Sequence, residues 1–467
     1  MAKELSLIEV DLQTPVHVLV EMAEEDFREA VARYQRRILS SGSDRLHSRR
    51  AARECKRKII RKRSQELKRQ DLEAKERTFN NPIVRPSVLL DSMNPGREKR
   101  WKSNYRKQTI INVQDFDFFD HPVETIKKLK DIANLETFAR SAEVNFDTAY
   151  CDDVAPVILL GLIKKDMAPV MRGGKISGRM AKVMSNLGLD KLARMNIHTK
   201  SGSEDVWPFP LVVRASHQKT STPQMSDQRK DKVAENFVKS VQSWLRSATE
   251  DKGEYLQLTD SEYDDAALMI LEMLDNAERH APEDGSLLGV WHFSGFMAKR
   301  NRDSESPYFV CHVAIVSLGE TIAETIQRSS DATTKVHLNA YLARHNKKRS
   351  MDTLATVLAV QPGMTKNKLA GTVGGFGFTN AIKFLNRLGG SSDAEIQPEL
   401  AIVSGKQLIR IKEPYRGMHP TSKTQWLNDV NSSNEPPSEN HALELPVAFP
   451  GTIITMRFQM SPEKIDD

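Results

Sequence analysis

The sequence predicts an α+β protein, on three observations. Strand-like and helix-like runs alternate between residues 109 and 163. In the second half, amphipathic helical stretches precede paired strand-like runs. Residues 1–108 are helical, polar and basic and show no alternation. Three segments follow: 1–108 as a basic helical arm and linker, 109–225 as a small α/β domain, and 226–467 as a domain of helices and paired strands. Of the 467 residues, 39% are hydrophobic, an ordinary soluble composition with enough core to fold without staples.

Residues 14–39 predict a helix with Val20, Ala23, Phe27 and Val31 as its apolar positions, and Ser40–Asp44 a turn. Arg45–Arg77 predicts a second helix, strongly basic and poor in large apolar side chains. Between Arg36 and Arg77, 16 Lys or Arg stand against 6 Asp or Glu, a net +10. The whole chain carries +6, so the remainder is net −4. Such an arm suits nucleic-acid phosphates. The alternative is a solvated or coiled-coil arm, with Glu54, Glu66, Asp71 and Glu76 pairing internally, that joins a protein partner or builds a homodimer. No aromatics interleave its cations, so base stacking is not expected. Pro82, Pro86 and Pro95 mark Asn80–Lys107 as an extended connector.

Thr109–Val113 and Ala142–Phe146 predict strands flanking a helix over Pro122–Leu135. The apolar run Val154–Ile163 follows and is too short to span a bilayer. Gly173–Gly178 lacks the spacing of a phosphate loop and is read as a basic loop. Cys55, Cys151 and Cys311 are scattered and odd in number, which predicts neither a disulfide framework nor a zinc site. Met1–Leu12 carries no charged-then-apolar signal pattern. Together these predict a cytoplasmic protein with no membrane partner.

Ser226–Ser247 predicts a helix with Val233, Phe237, Val241 and Trp244 on one face. Leu287–Met297 and Tyr308–Val316 predict paired strands. Ser329–Lys368 is long and basic around Arg344–Arg349. Glu399–Val403 and Gln407–Ile411 predict a hairpin around Ser404-Gly405-Lys406. Glu413–Pro446, rich in Pro, Ser and Asn, predicts an irregular insertion, and Gly451–Phe458 a last strand.

The chemistry-bearing stretch is Leu271–His280. Glu272, Asn276 and His280 stand at i, i+4 and i+8, so a helix projects them from one side. The apolar run Ala266–Leu271 fixes the other side in a core, and Thr259 with Glu262, or Ser261 with Asp264, caps the start. A carboxylate, a carboxamide and an imidazole in a row suit positioning a water and a Mg²⁺ before a triphosphate. The bland alternative is an amphipathic helix with a polar solvent face. Further on, Gly371, Gly374, Gly375 and Gly377 let backbone approach phosphate oxygens, and the helix from Asn380 offers N–H groups to anions at its start.

In order and content these motifs resemble the GHKL ATPases: gyrase-type topoisomerases, ninety-kilodalton heat-shock chaperones, mismatch-repair ATPases and histidine kinases. Glu272–His280 is similar to the family's asparagine box, Gly375-Phe376-Gly377-Phe378 to its second glycine box, and Gly451-Thr452 to its closing Gly-Thr strand. The resemblance covers roughly 232–460. It implies ATP and Mg²⁺ as cofactors, Glu272 as the group that orients or deprotonates the attacking water, and Asn276 as the metal ligand. It also implies a layered, mixed-sheet domain over 226–467, a mobile ATP lid at Ser329–Lys368, and a nucleotide site that includes His280, Ser317, Gly319, Gly374, Gly375, Gly377 and Thr452. Two positions depart from the pattern. Ser317 stands where the family has the Asp that meets adenine, and Thr321 where the first glycine box has its second Gly. Three functions are therefore weighed: a slow ATPase or nucleotide-gated switch, a non-hydrolysing interaction module with a degenerate site, and an anti-sigma-type serine kinase. The last rests on layout, because residues 109–190 faintly resemble STAS domains. Asp147–Asp153 holds no serine, so that family's phospho-switch is not implied. No His-Glu or His-Asp box suggests a sensor histidine kinase.

Overall fold

The computed structural model describes residues 10–22, 24–41, 45–80, 86–97, 108–139, 141–147, 151–193, 195, 197, 206–214, 229–249, 257–279, 291–300, 308–364, 377–388, 396–412 and 423–460. The chain divides into two units, Met1–Ile83 and Val84–Asp467.

The first unit holds α1 (Val16–Glu21), α2 (Glu24–Ser41) and α3 (Arg45–Asn80). The single helix expected over 14–39 is interrupted at Met22, whose backbone is extended (φ −68°, ψ 137°). The interruption turns Leu19 and Met22, with Phe27, Ala30 and Val31, onto Ile59 of α3. Val20, expected on the apolar face, is only half-buried, and Ala23 lies outside the described residues. Arg63 is buried with compensation: its guanidinium lies 4.1 Å from the Phe27 ring centroid, 2.7 Å from Glu24 and 2.9 Å from the Met22 carbonyl. A buried cation held by a carboxylate, a carbonyl and a ring face is stable where a bare one is not.

The second unit begins with α4 (Val88–Met93), inside the segment expected to be an extended connector. Leu89, Leu90 and Met93 are buried there, and the fully buried Arg97 pairs with buried Glu136 at 2.8 Å. Proline spacing signalled a linker, but the apolar triplet overrides it. Next come β1 (Gln108–Val113), α5 (Pro122–Phe138), β2 (Ser141–Phe146), α6 (Val154–Asp166), β3 (Met171–Gly173), α7 (Gly178–Asn186) and α8 (Leu189–Leu192). Strands β1, β2 and β3 form a parallel sheet in that order. Gly174 follows β3 with φ +154°, and a Cβ there would stand 1.8 Å from the Val144 carbonyl oxygen. Its glycine therefore serves strand approach.

The remaining elements are β4 (Val206–Arg214), α9 (Lys230–Thr249), α10 (Asp260–Arg279), β5 (Trp291–Arg300), β6 (Tyr308–Leu318), α11 (Ile322–Gln327), α12 (Ala332–His345), α13 (Met351–Ala359), α14 (Gly377–Leu388), β7 (Glu399–Ile411) and β8 (Ala442–Met460). Their five strands make an antiparallel sheet in the order β4-β5-β6-β8-β7. The protein is thus α+β, with one parallel and one antiparallel sheet; the sheet of the second half, expected to be mixed, is antiparallel at every described pairing. β4, from the segment read as part of the small α/β domain, pairs with β5.

The antiparallel sheet is buried on both faces. Along β6, Val313 and Ile315 join a core with α9, α10, α13 and α14, whereas Ala314 and Val316 join another with α5 and α6. Two-sided burial explains the near-continuous apolar runs of β5 and β6. It also explains α6, in which Val154–Ile163 are all buried, the signature of a helix enclosed on every side. No described helix is long and apolar enough to cross a membrane.

Two other expectations are corrected. The segment read as a mobile lid carries α12 and α13 as packed helices, with Leu354, Val357 and Leu358 buried. Thr353 Oγ1 donates to Gln407 (2.6 Å), and Arg349 donates to the Pro437 carbonyl (2.8 Å); residues 365–368 lie outside the described residues. The expected hairpin at Ser404-Gly405-Lys406 is instead a register shift inside one strand, β7, which pairs with β8 on either side of it. Gly405 adopts φ +61° at the shift, where β8 carries the extra residues.

Candidate functional site

Of the two caps the sequence allows for α10, Thr259 with Glu262 forms. Thr259 Oγ1 accepts the Glu262 N–H (3.3 Å), and Glu262 Oε2 accepts the Thr259 N–H (2.8 Å). Ala266, Met269, Ile270, Met273, Leu274 and Ala277 are buried, a helical stripe that fixes α10 against α9, α14, β5 and β6. Glu272 and Asn276 flank this stripe half-buried, one turn apart. His280 lies outside the described residues.

Glu272 is held from across the helix layer. The Asn380 amide nitrogen lies 2.9 Å from Oε1 and 3.0 Å from Oε2. Asn380 is the fourth residue of α14, which Gly377 opens. Gly371, Gly374 and Gly375 lie outside the described residues. The sequence placed a helix at Asn380 but gave this side chain no partner. The signal was a carboxamide one turn into the helix behind a glycine box, the place where such a side chain reaches a neighbouring helix.

Ser317, Gly319 and Thr452 come together at one end of the antiparallel sheet. Ser317 is in register with Thr452, and its hydroxyl donates to the Thr452 carbonyl at 3.2 Å. The buried Ser404 of β7 joins them. Its hydroxyl donates to the Gly451 carbonyl (3.1 Å) and accepts the Ile322 N–H (2.8 Å), so Thr452 Oγ1 is the donor in their 2.9 Å contact. Gly319 N–H donates to the Pro450 carbonyl at 3.2 Å. Gly451 has φ +143°, and a Cβ there would meet the Ser317 carbonyl oxygen at 2.1 Å; only glycine permits this strand approach. Thr321 caps α11, exchanging hydrogen bonds with Glu324 in a capping box. A threonine where the resemblance expects glycine therefore has a structural use.

Strand alternation sets the facing. Ile315 on β6 and Ile454 on β8 point into the core shared with α10 and α14, and Ser317 and Thr452 lie two residues from them on the same face. The carboxylate–carboxamide pair and the hydroxyl group cluster thus belong to one side of the sheet. Among the described residues no group of three or more His, Cys, Asp or Glu is placed to hold a metal. A Mg²⁺ held mainly by substrate phosphates needs only one or two protein ligands, and Asn276, half-buried one turn beyond Glu272, fits that limited donor set. Comparison with protein-family models, with curated proteins and with solved structures gave no match to this chain.

A concavity of about 450 Å³ lies beyond the carboxyl ends of β1 and β2, and its lining includes Asp115, Asp117, Asp120, His121, Asp147, Asp152 and Arg457. The sequence did not single it out. Asp117, Asp120 and Asp152 are paired within the protein. His121 pairs with Asp117 at 2.9 Å, which holds the imidazole pKa above its usual value. Asp120 meets Arg457 at 2.7 Å and Lys412 at 3.8 Å.

Proposed function

We propose that residues 84–467 bind ATP with Mg²⁺ and act as a slow ATPase or nucleotide-gated switch of the GHKL type, with the layering of that fold. The observation that supports this most is the grip of Asn380 on both oxygens of Glu272. It orients a half-buried carboxylate beside the helix that opens at the glycine box. In this reading Glu272 orients or deprotonates a water, and Asn276 ligates Mg²⁺. The backbone around Gly375 and Gly377 cradles phosphates. Ser317, its proton committed to the Thr452 carbonyl, offers lone pairs to the exocyclic amine of the base. Thr452 supports that hydroxyl from β8. Bound Mg²⁺ would supply charge neutralisation at the phosphates.

The same contact favours a second reading, a switch that binds without turnover. With Asn380 on both oxygens, part of the lone-pair capacity of Glu272 is already used. Glu272→Ala separates the two. If Glu272 is the general base, turnover measured by phosphate release falls about 10²–10⁴-fold while ATP binding survives. Turnover at the wild-type rate in that variant removes Glu272 from the chemistry, and its absence from the wild type selects the switch.

A further inference from the structure

The basic excess of the N-terminal unit is sorted by face along α3, independently of any nucleotide site. At about 100° per residue, Ala52, Ile59 and Arg63, all buried in the described structure, mark the side turned to α2. Arg49, Arg50, Arg53, Lys56, Arg57 and Arg61 are all exposed and fall within an arc of about 140° that begins beside that buried side. The two described side-chain carboxylates of this stretch lie outside the arc, and each is committed: Glu54 to Lys58 (2.9 Å), and Glu66 to Arg69 (2.5 Å). Acid–base pairing, the usual use of charge on a solvated helix, is therefore confined to the flank, and the stripe is left cationic among the described residues.

We propose that this stripe of α3 is a docking surface for the phosphate backbone of a nucleic acid, read by charge and without base recognition. From Arg49 to Arg61 it spans about 18 Å, a length of duplex carrying about ten phosphates. Five of its six side chains are guanidiniums, whose planar fork matches phosphate oxygens. The stripe holds no aromatic ring on which bases would stack. An anionic lipid surface fits less well, because an interfacial helix buries a wide apolar face in the bilayer; here Ala52 and Ile59 are buried, and the exposed Ile60 and Leu67 are two side chains set among cations.

The test measures binding of the full chain to a mixed-sequence 24-base-pair DNA duplex and to vesicles containing phosphatidylserine, across a salt series. Two variants remove equal charge: Arg53→Gln with Arg57→Gln on the stripe, and Lys58→Gln with Arg69→Gln on the flank. All four side chains are exposed, so packing on α2 is left intact, and circular dichroism verifies the helices. The expected result is duplex binding whose log–log salt slope falls by about 1.8 in the stripe variant, at about 0.9 per lost phosphate contact, and stays unchanged in the flank variant. Equal slope losses in both variants, no duplex binding at 50 mM salt, or binding to the vesicles alone would each overturn the proposal.

Discussion

Asn380 is the residue on which the site's geometry turns. A carboxylate on a half-buried helix face has several rotamers, and ordering it costs side-chain entropy. The amide of Asn380 removes that freedom by meeting both oxygens. Asn380→Ala should leave ATP affinity near the wild-type value and lower turnover by up to about 10²-fold, the loss expected when a reacting group is misplaced by an ångström or so. Steady-state kinetics separates the two effects, and a rise in KM with unchanged kcat would show that Asn380 serves binding instead. Sequence reading found Glu272 and Asn276 because helical spacing alone aligns them. It did not find Asn380, because a contact between residues 108 positions apart leaves no periodic trace. Ser404 was missed for the same reason: its position was read as a hairpin turn, yet it links β7 to Gly451 and Thr452.

At the scale of elements, the antiparallel sheet carries two buried histidines. His292 on β5 and His312 on β6 both lie on a sheet with no solvent face, and His312 stacks on Phe296 at 4.7 Å. Burial lowers the His292 pKa to about 4, helped by the nearby charge of Lys165. Burial lowers that of His312 well below its usual value, with Arg300 and Arg457 acting in the same direction. A depressed folded pKa stabilises the fold above the unfolded value, near 6.5, and that stability is lost as pH falls toward the folded value. For His292 the full shift amounts to roughly 3 kcal/mol. The thermal midpoint should therefore drop between pH 6.5 and pH 4, and the double variant His292→Phe with His312→Phe should drop less. Parallel midpoint curves for the two proteins would place the acid sensitivity elsewhere. Legibility at this scale followed periodicity. The faces of α9 and the pairing of β5 with β6 were readable because alternation and 3.6-residue spacing are local. The fate of 329–364 was not, because α12 and the turn after it are basic outside, and the segment owes its order to distant partners such as Gln407 and Pro437.

At the scale of the whole molecule, the charge asymmetry and the division at Ile83 agree: the basic excess lies in a unit with its own small core. The two sheets of residues 84–467 are less separable than composition suggested. Ala314, Val316, Ala401 and Val403 of the antiparallel sheet share a core with α5, α6 and the parallel sheet. The sequence reading placed a boundary at residue 225; a core shared by segments distant in sequence is invisible in local pattern. The claim that rests on this architecture is a nucleotide site in residues 84–467, and calorimetric titration of the full chain with ATP, with and without Mg²⁺, tests it most directly. The account predicts ATP binding that Mg²⁺ tightens, with Asn276→Ala still binding ATP but indifferent to Mg²⁺. A wild-type protein that shows no ATP binding, or an Asn276→Ala variant that keeps the full Mg²⁺ dependence, would contradict it.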